Sequence, residues 1–339
     1  MGLLSNILGG TISEKNREII EDLGVIDFHS HIGNILVRDE DQIYDENKRF
    51  PTDIRTVGGN FGKFKAPGKI MQTIMHTKIV DDILKESGKN RNSSATLKTF
   101  SESINKSFIT KSIILPIPPH QTFEDLLMAR DYDERMILFT GVDFTSLVNL
   151  SKEKYQIELK LLDNKFKEQI ALGAKGLKIH PIIQGVSADS DIVDDVVDIW
   201  KKYDLPVIFH TGVTEYCNKK ENCSAHKPEY GEIKYFINLA QKHRDLKIVI
   251  GHSGLFQVDE VINYLSRYEN VTVDTSFQSK EKILGLLKSF GSDRLMFASD
   301  WPYGDRIPAL NVMLETLNGD EDLIRKIMRD NSLESMNLK

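Results

Sequence analysis

Cysteine is scarce: Cys217 and Cys223 are the two thiols in 339 residues. Two cysteines cannot build a disulfide framework and suit a reducing compartment, so the cytoplasm is the expected location. A structural zinc site joining them to His226 is disfavoured, because the gap between them is wider than usual and a fourth ligand is missing. Long apolar runs are lacking as well. No stretch approaches the roughly 18 residues that cross a bilayer, and the opening MGLLSNILGG has neither the positive start nor the apolar core of a signal peptide. Asn6 also stands where a myristoylation signal needs Ser or Thr. Positive charge is not in excess, since 44 basic against 50 acidic residues give a net charge of -6. That balance argues against nucleic acid or an anionic membrane as the main partner. It leaves a small-molecule substrate, with homo-oligomer formation open. No GxGxxG or Walker A run follows the first strand candidate, which removes the motif support for nucleotide binding.

What is present is an ordinary globular composition, 40% hydrophobic and 28% charged. Short apolar runs recur at 25–32, 112–118, 136–144, 176–181, 205–212, 247–254, 271–276 and 294–302, and amphipathic stretches fill the spaces between them. One such stretch, 190–206, carries an apolar stripe of Ile192, Val193, Val196, Val197, Ile199 and Trp200, with Ser190 as N-cap and Pro206 past its end. Eight strands alternating with helices predict an α/β fold, a closed (β/α)8 barrel in one domain over 1–339. Residues 34–111 interrupt the rhythm. They form a long insertion that leaves the first strand at its C-terminal end, where a lid would sit; the alternatives are a structural subdomain or an oligomer contact.

The segment VIDFHSHIG, 25–33, sets Asp27, His29 and His31 on alternate positions. A period of two puts them on one strand face and Ile26, Phe28 and Ser30 on the other. Of nine histidines, five fall at the C-terminal ends of strand candidates: His29, His31, His180, His210 and His252. Barrel active sites form at that end. Asp300 ends the eighth strand, which closure brings beside the first. Imidazole nitrogens and a carboxylate oxygen are donors for zinc and similar ions, so His29, His31, His210 and Asp300 form the expected ligand set, with a water completing it. Asp27 would orient a ligand or fix the strand turn. Lys178 and His180 share a face. Lys178 is carboxylated to bridge a second metal, or an ammonium for an anionic substrate, or a plain structural ion pair. His252 binds metal or donates to the reacting oxygen. Asp274 is a weaker candidate, and His120 lies near the mouth.

The five motifs DFHSH, KIH, FHTG, IGHSG and SDWP, in this order, resemble the amidohydrolase superfamily. The likeness is to its amidohydrolase-related branch of TIM-barrel metal-dependent hydrolases and decarboxylases. The resemblance implies that His29, His31, His210 and Asp300 hold one divalent ion, zinc being favoured, and that His252 is the strand-six histidine. A second metal enters if Lys178 is carboxylated. The implied reaction is attack of a metal-activated water on a C–N or C–O bond of an amide, lactone or ester, with Asp300 as the proton carrier and His252 stabilising the oxyanion. Non-oxidative decarboxylation or hydration of a small carboxylic acid is the alternative, for which Arg38, Arg49, Arg55 and Arg91 are available as a carboxylate clamp. A barrel that binds metal without catalysis is the remaining reading. The resemblance does not cover 34–111.

Overall fold

The computed structural model describes residues 12–51, 78–216 and 226–338, apart from the side chains of 78–84. Strands β1 (Ile26–Ser30), β2 (Lys111–Ile114) and β3 (Met136–Leu138) pair in parallel. A second parallel series runs β4 (Thr140–Gly141), β5 (Leu177–Ile179), β6 (Val207–Phe209), β7 (Ile248–Ile250), β8 (Val271–Asp274) and β9 (Leu295–Met296). β3 and β4 are one run of chain broken at Phe139. The Phe139 amide donates to Ile114 O at 3.0 Å, whereas Thr140 N turns to Gly176 O at 2.8 Å. Nine segments therefore fill eight barrel positions, as the sequence rhythm predicts. The first and last are joined by Phe28 N to Phe297 O at 2.9 Å, by His31 N to Trp301 O at 2.6 Å, and by a parallel bridge between Ser30 and Trp301.

Alternation along these strands sorts the apolar residues into two layers. Phe28, Ile113, Leu115, Phe139, Ile208, Val249 and Met296 pack together inside the barrel. Leu177, Ile179, Phe209, Ile250 and Val273 face outward into the larger core beneath the helices. Burying each such side chain contributes about 1.5–3 kcal/mol.

The longer helices are α1 (Glu14–Glu21), α2 (Lys78–Ser93), α3 (Leu97–Ser107), α4 (Phe123–Arg130), α5 (Lys152–Ala171), α6 (Asp191–Trp200), α7 (Ile233–Lys242), α8 (Lys280–Phe290) and α9 (Arg306–Leu317). In α6 the expected stripe is buried through Val193, Val196, Val197 and Trp200. Ser190 takes the N-cap position, but its hydroxyl donates to Ser187 O at 2.7 Å instead of capping the helix. Among the described residues no helix is long and apolar enough to cross a membrane.

The insertion resolves into unlike parts. α3 begins with a capping box between Thr96 and Thr99 and packs against α9, so it serves as the ring helix between β1 and β2. The segment before it reaches back over the strand ends. Gly33 N donates to Ala95 O at 2.7 Å, and Arg91 Nη1 to Pro302 O at 2.8 Å. The glycine-rich stretch at 56–69, which figured in the expectation of a lid, lies outside the described residues, as do Cys217, Cys223 and Arg55.

Candidate metal centre

The expected common face for Asp27, His29 and His31 does not form. The pairing of β1 with β2 slips between Asp27 and Ser30, so the alternation breaks after Phe28. Phe28 points into the barrel core, while Asp27 turns toward the helix ring. There Asp27 Oδ2 accepts from Arg306 Nε at 3.1 Å and from Ser299 Oγ at 2.6 Å, and Oδ1 accepts from Ser299 N at 2.8 Å. Arg306 Nη2 also donates to Ser30 Oγ and Ser112 Oγ, both at 3.2 Å. A slip of one residue moves every later side chain to the other face. The bulge is what lets Phe28 and His29 both serve the barrel interior.

His29, His31 and Asp300 converge at the strand ends, all buried. Asp300 Oδ1 lies 3.4 Å from His29 Nε2 and 3.5 Å from His31 Nε2. The other ring nitrogens are committed: His29 Nδ1 donates to Asp274 Oδ2 at 2.8 Å, and His31 Nδ1 to Leu115 O at 2.7 Å. Both Nε2 atoms therefore present lone pairs toward Asp300 Oδ1, a buried oxygen with no hydrogen-bond donor. Three acceptor atoms facing one another are repulsive unless a proton or a cation joins them, and the Lys178 ammonium, 3.2 Å from His29 Nε2, reaches one of the three. Histidines oriented by a carboxylate or a backbone carbonyl are the arrangement metal ligands adopt. The residues fit a divalent ion. Asp300 itself is held at φ 56°, in the left-handed region that non-glycine residues avoid. Gly304 N donates to its carbonyl at 2.9 Å, and a Cβ at Gly304 would sit 2.0 Å from Ser299 O, so the turn needs glycine there.

His210, the expected fourth ligand, stands outside that trio. Its Nδ1 lies 3.1 Å from His252 Nε2, and its Nε2 lies 3.4 Å from Tyr216 Oη. Tyr216 Oη is also 3.2 Å from His180 Nε2, and the His180 and His210 rings stack at 4.0 Å. His252 Nδ1 meets Ser276 Oγ at 2.8 Å, and Ser276 Oγ donates to Asp274 Oδ1 at 2.6 Å. Both ring nitrogens of His252 are thus engaged. Lys178 Nζ lies 3.2 Å from His29 Nε2, at the heart of the cluster, and His180 lies at its rim. Asp274, a weaker candidate in the sequence, is central: it accepts from His29, Ser276 and the His252 amide. His120 is half-buried, and burial with neighbouring His226 lowers its pKa.

Tyr216 and Tyr303 give no sequence signal, because neither alternates with a strand-end residue. They join Ile35, Leu36, Ile117 and Ile183 in an apolar collar, with the Tyr303 ring 6.0 Å from that of His31.

Electrostatics follow from burial. The five strand-end imidazoles are all held below the usual histidine range, foremost by desolvation, His31 to about 3. Neutral imidazole is the form that ligates. Burial lowers Lys178 to about 8 against the pull of Asp300 and Asp274, and it raises Asp274 to about 6. Asp300 rises well above the carboxylate range through the same desolvation, opposed by Lys178.

Solved structures share the architecture. An uncharacterised TIM-barrel protein of Bordetella bronchiseptica is 14% identical at a TM-score of 0.58, covering 92% of this chain and 98% of its own. A 5-carboxyvanillate decarboxylase of Novosphingobium aromaticivorans, solved with manganese and a nitrobenzoic acid, is 15% identical at 0.58, covering 94% and 97%. A protein described as a probable 2-pyrone-4,6-dicarboxylic acid hydrolase of Acinetobacter baumannii is 12% identical at 0.55, covering 93% and 100%. Such likenesses establish the fold, a TIM barrel. No curated protein is found to match the sequence. The family model described as amidohydrolase matches residues 161–335, more than half of the chain, from α5 through the Asp300 turn, and the chain belongs to that family.

Proposed function

We propose that this barrel is a zinc-dependent hydrolase that cleaves a C–N or C–O bond of a small amide, lactone or ester. The observation that carries the reading is Asp300 Oδ1, buried without a donor and faced by the lone pairs of His29 and His31. These three residues would hold the ion, with His210 as the fourth ligand. Two or three imidazoles, one carboxylate and a water form a set that suits zinc. When bound, the ion supplies a Lewis acid and brings the pKa of its water from 15.7 toward about 7.

The chain's own residues supply the rest. Asp300 offers one carboxylate oxygen to the ligand set and would use the other to take a proton from the attacking water and pass it to the leaving group. His252 spends both nitrogens on His210 and Ser276, so it orients its neighbour and leaves oxyanion stabilisation to Lys178. With His29 Nε2 committed to a ligand bond, the Lys178 ammonium is released toward developing negative charge. If Lys178 is instead carboxylated, His210 and His252 face a second ion, and metal stoichiometry distinguishes the two forms.

A second reading, decarboxylation of a small carboxylic acid, is favoured by the same Lys178 ammonium, which could anchor a carboxylate. Among the described residues the arginine clamp does not assist it: Arg38 and Arg49 are exposed, Arg38 is paired with Glu40 and Asp125, and Arg91 is held by Pro302 O and Asp305. The test is metal analysis, then a screen of zinc-loaded and manganese-loaded protein against lactones, amides, esters and aromatic carboxylic acids. Hydrolysis products support the first reading. Carbon dioxide release supports the second and overturns the first. Cytoplasmic location is proposed on cysteine usage.

A further inference from the structure

The last turn of α2 ties together the two segments of chain that carry His31 and Asp300. Asn92 is buried there, and both ends of its amide are committed. Its Oδ1 accepts from the Ile35 amide at 3.1 Å and from the Tyr303 hydroxyl at 2.9 Å, and its Nδ2 donates to Asn34 Oδ1 at 2.6 Å. Asn34 and Ile35 lie three and four residues past His31, and Tyr303 lies three past Asp300. Beside it Arg91 grips the same turn, donating to Pro302 O at 2.8 Å and to Asp305 Oδ1 at 3.4 Å. Gly33 N donates to Ala95 O at 2.7 Å, which fixes the exit of β1 to the same helix end. One oxygen atom, Asn92 Oδ1, therefore accepts a hydrogen bond from each side of the barrel closure.

The spacing across that closure is the one an ion needs. Two donors about 2.1 Å from one tetrahedral ion stand about 3.4 Å apart, and His31 Nε2 and Asp300 Oδ1 are 3.5 Å apart. Asp300 keeps its place at φ 56°, and a side-chain-bearing residue persists in the left-handed region when its surroundings over-determine it. Arg91 and Asn92 are surroundings supplied by the insertion helix α2 rather than by the barrel. Given the metal-centre reading, on which this rests, we infer that Asn92 is a positioning residue: its amide sets the distance between the His31 and Asp300 donors and makes ion affinity depend on the seating of α2. Substitution at Asn92 frees the β1 exit from the Asp300 turn without touching a ligand. By linkage the dependence runs both ways, so an ion that draws the two segments together also holds α2 more tightly in place.

The readouts are zinc affinity by chelator competition and amide hydrogen exchange with and without zinc, neither of which needs turnover. Asn92→Ala is expected to bind zinc about tenfold more weakly while its circular dichroism spectrum is retained. Tyr303→Phe keeps the ring and removes one of the two bonds to Asn92 Oδ1, so a smaller loss is expected, and the double variant should bind no worse than Asn92→Ala alone. Zinc is expected to slow exchange at the Gly33 and Ala95 amides in the wild type and to lose that effect in Asn92→Ala. Trp200→Phe, a core change in α6 that also lowers the urea midpoint, is expected to leave zinc affinity unaltered. Unchanged affinity in folded Asn92→Ala overturns the inference. A loss in Trp200→Phe as large as that in Asn92→Ala overturns it too, since general softening would then account for both. If Asn92→Ala does not fold, Tyr303→Phe with wild-type affinity overturns it. Wild-type protein that binds no divalent ion overturns the metal-centre reading itself, a failure visible before any variant is made.

Discussion

Asp274 touches no open space, yet it decides how the histidines present themselves. It fixes the His29 tautomer through Oδ2 and, through Oδ1, the Ser276 hydroxyl and the His252 amide. Replacing it with alanine removes that control while leaving the ligands in place. Zinc affinity is expected to fall about 10- to 100-fold in Asp274→Ala, by chelator competition. On the proposed mechanism Asp300→Asn removes a proton carrier and a charged ligand together, and turnover should drop by about 10²–10⁴-fold with the circular dichroism spectrum retained. Asp27 makes a contrasting case. Its carboxylate balances Arg306, and both are buried, with the guanidinium also 4.8 Å over the Trp301 ring. Asp27→Ala leaves that cation uncompensated, a change that costs about 3–5 kcal/mol in denaturant unfolding. The sequence exposed His29, His31 and Asp300 because their chemistry stands out at strand ends. It misplaced Asp27, because a bulge in backbone pairing has no signature in side-chain order.

Strands and helices were legible wherever local pattern and tertiary role coincide. The α6 stripe and the Ile208, Val249 and Met296 interior both follow from periodicity. α3 was readable as a helix but not as part of the ring, since its partner α9 lies about two hundred residues away in sequence and nothing local announces it. Phe28 links the two levels, packing edge-on to Phe139 with ring centroids 5.8 Å apart inside the barrel. Phe28→Ala opens a cavity one residue before His29, and about 3–5 kcal/mol of stability should be lost. A similar argument applies to the HTG and HSG turns. Gly212, at φ 95°, lies so close to the Gly254 carbonyl that a Cβ would stand 2.7 Å from its oxygen. Gly212→Ala is therefore expected to lower the thermal midpoint and to disturb the loops carrying His210 and His252.

Over the whole molecule, the five buried neutral histidines couple stability to acidity. Their folded pKa values lie below the unfolded value of about 6.5, so below that pH the unfolded chain takes up protons that the folded chain refuses. Stability then falls as pH falls. Asp274 and Asp300 act with the opposite sign, since their raised folded pKa values let the native state gain protons first, but two groups offset only part of five. The metal-free protein is expected to lose stability steadily as pH drops below about 6.5, measured as the urea midpoint across a pH series. Added zinc should raise the midpoint at neutral pH, corresponding to about 2.7 kcal/mol of unfolding free energy at a hundredfold excess over the dissociation constant.

The barrel closes where β1 meets the turn after β9, through the Phe28 to Phe297 and His31 to Trp301 hydrogen bonds. His29 and His31 lie on one side of that seam and Asp300 on the other. An ion held by all three would act as a rivet between the two ends of the polypeptide. No fragment ending before the last strand could then retain tight binding, and amide exchange along β1 would slow on metal loading far more than exchange along β3, which carries no ligand.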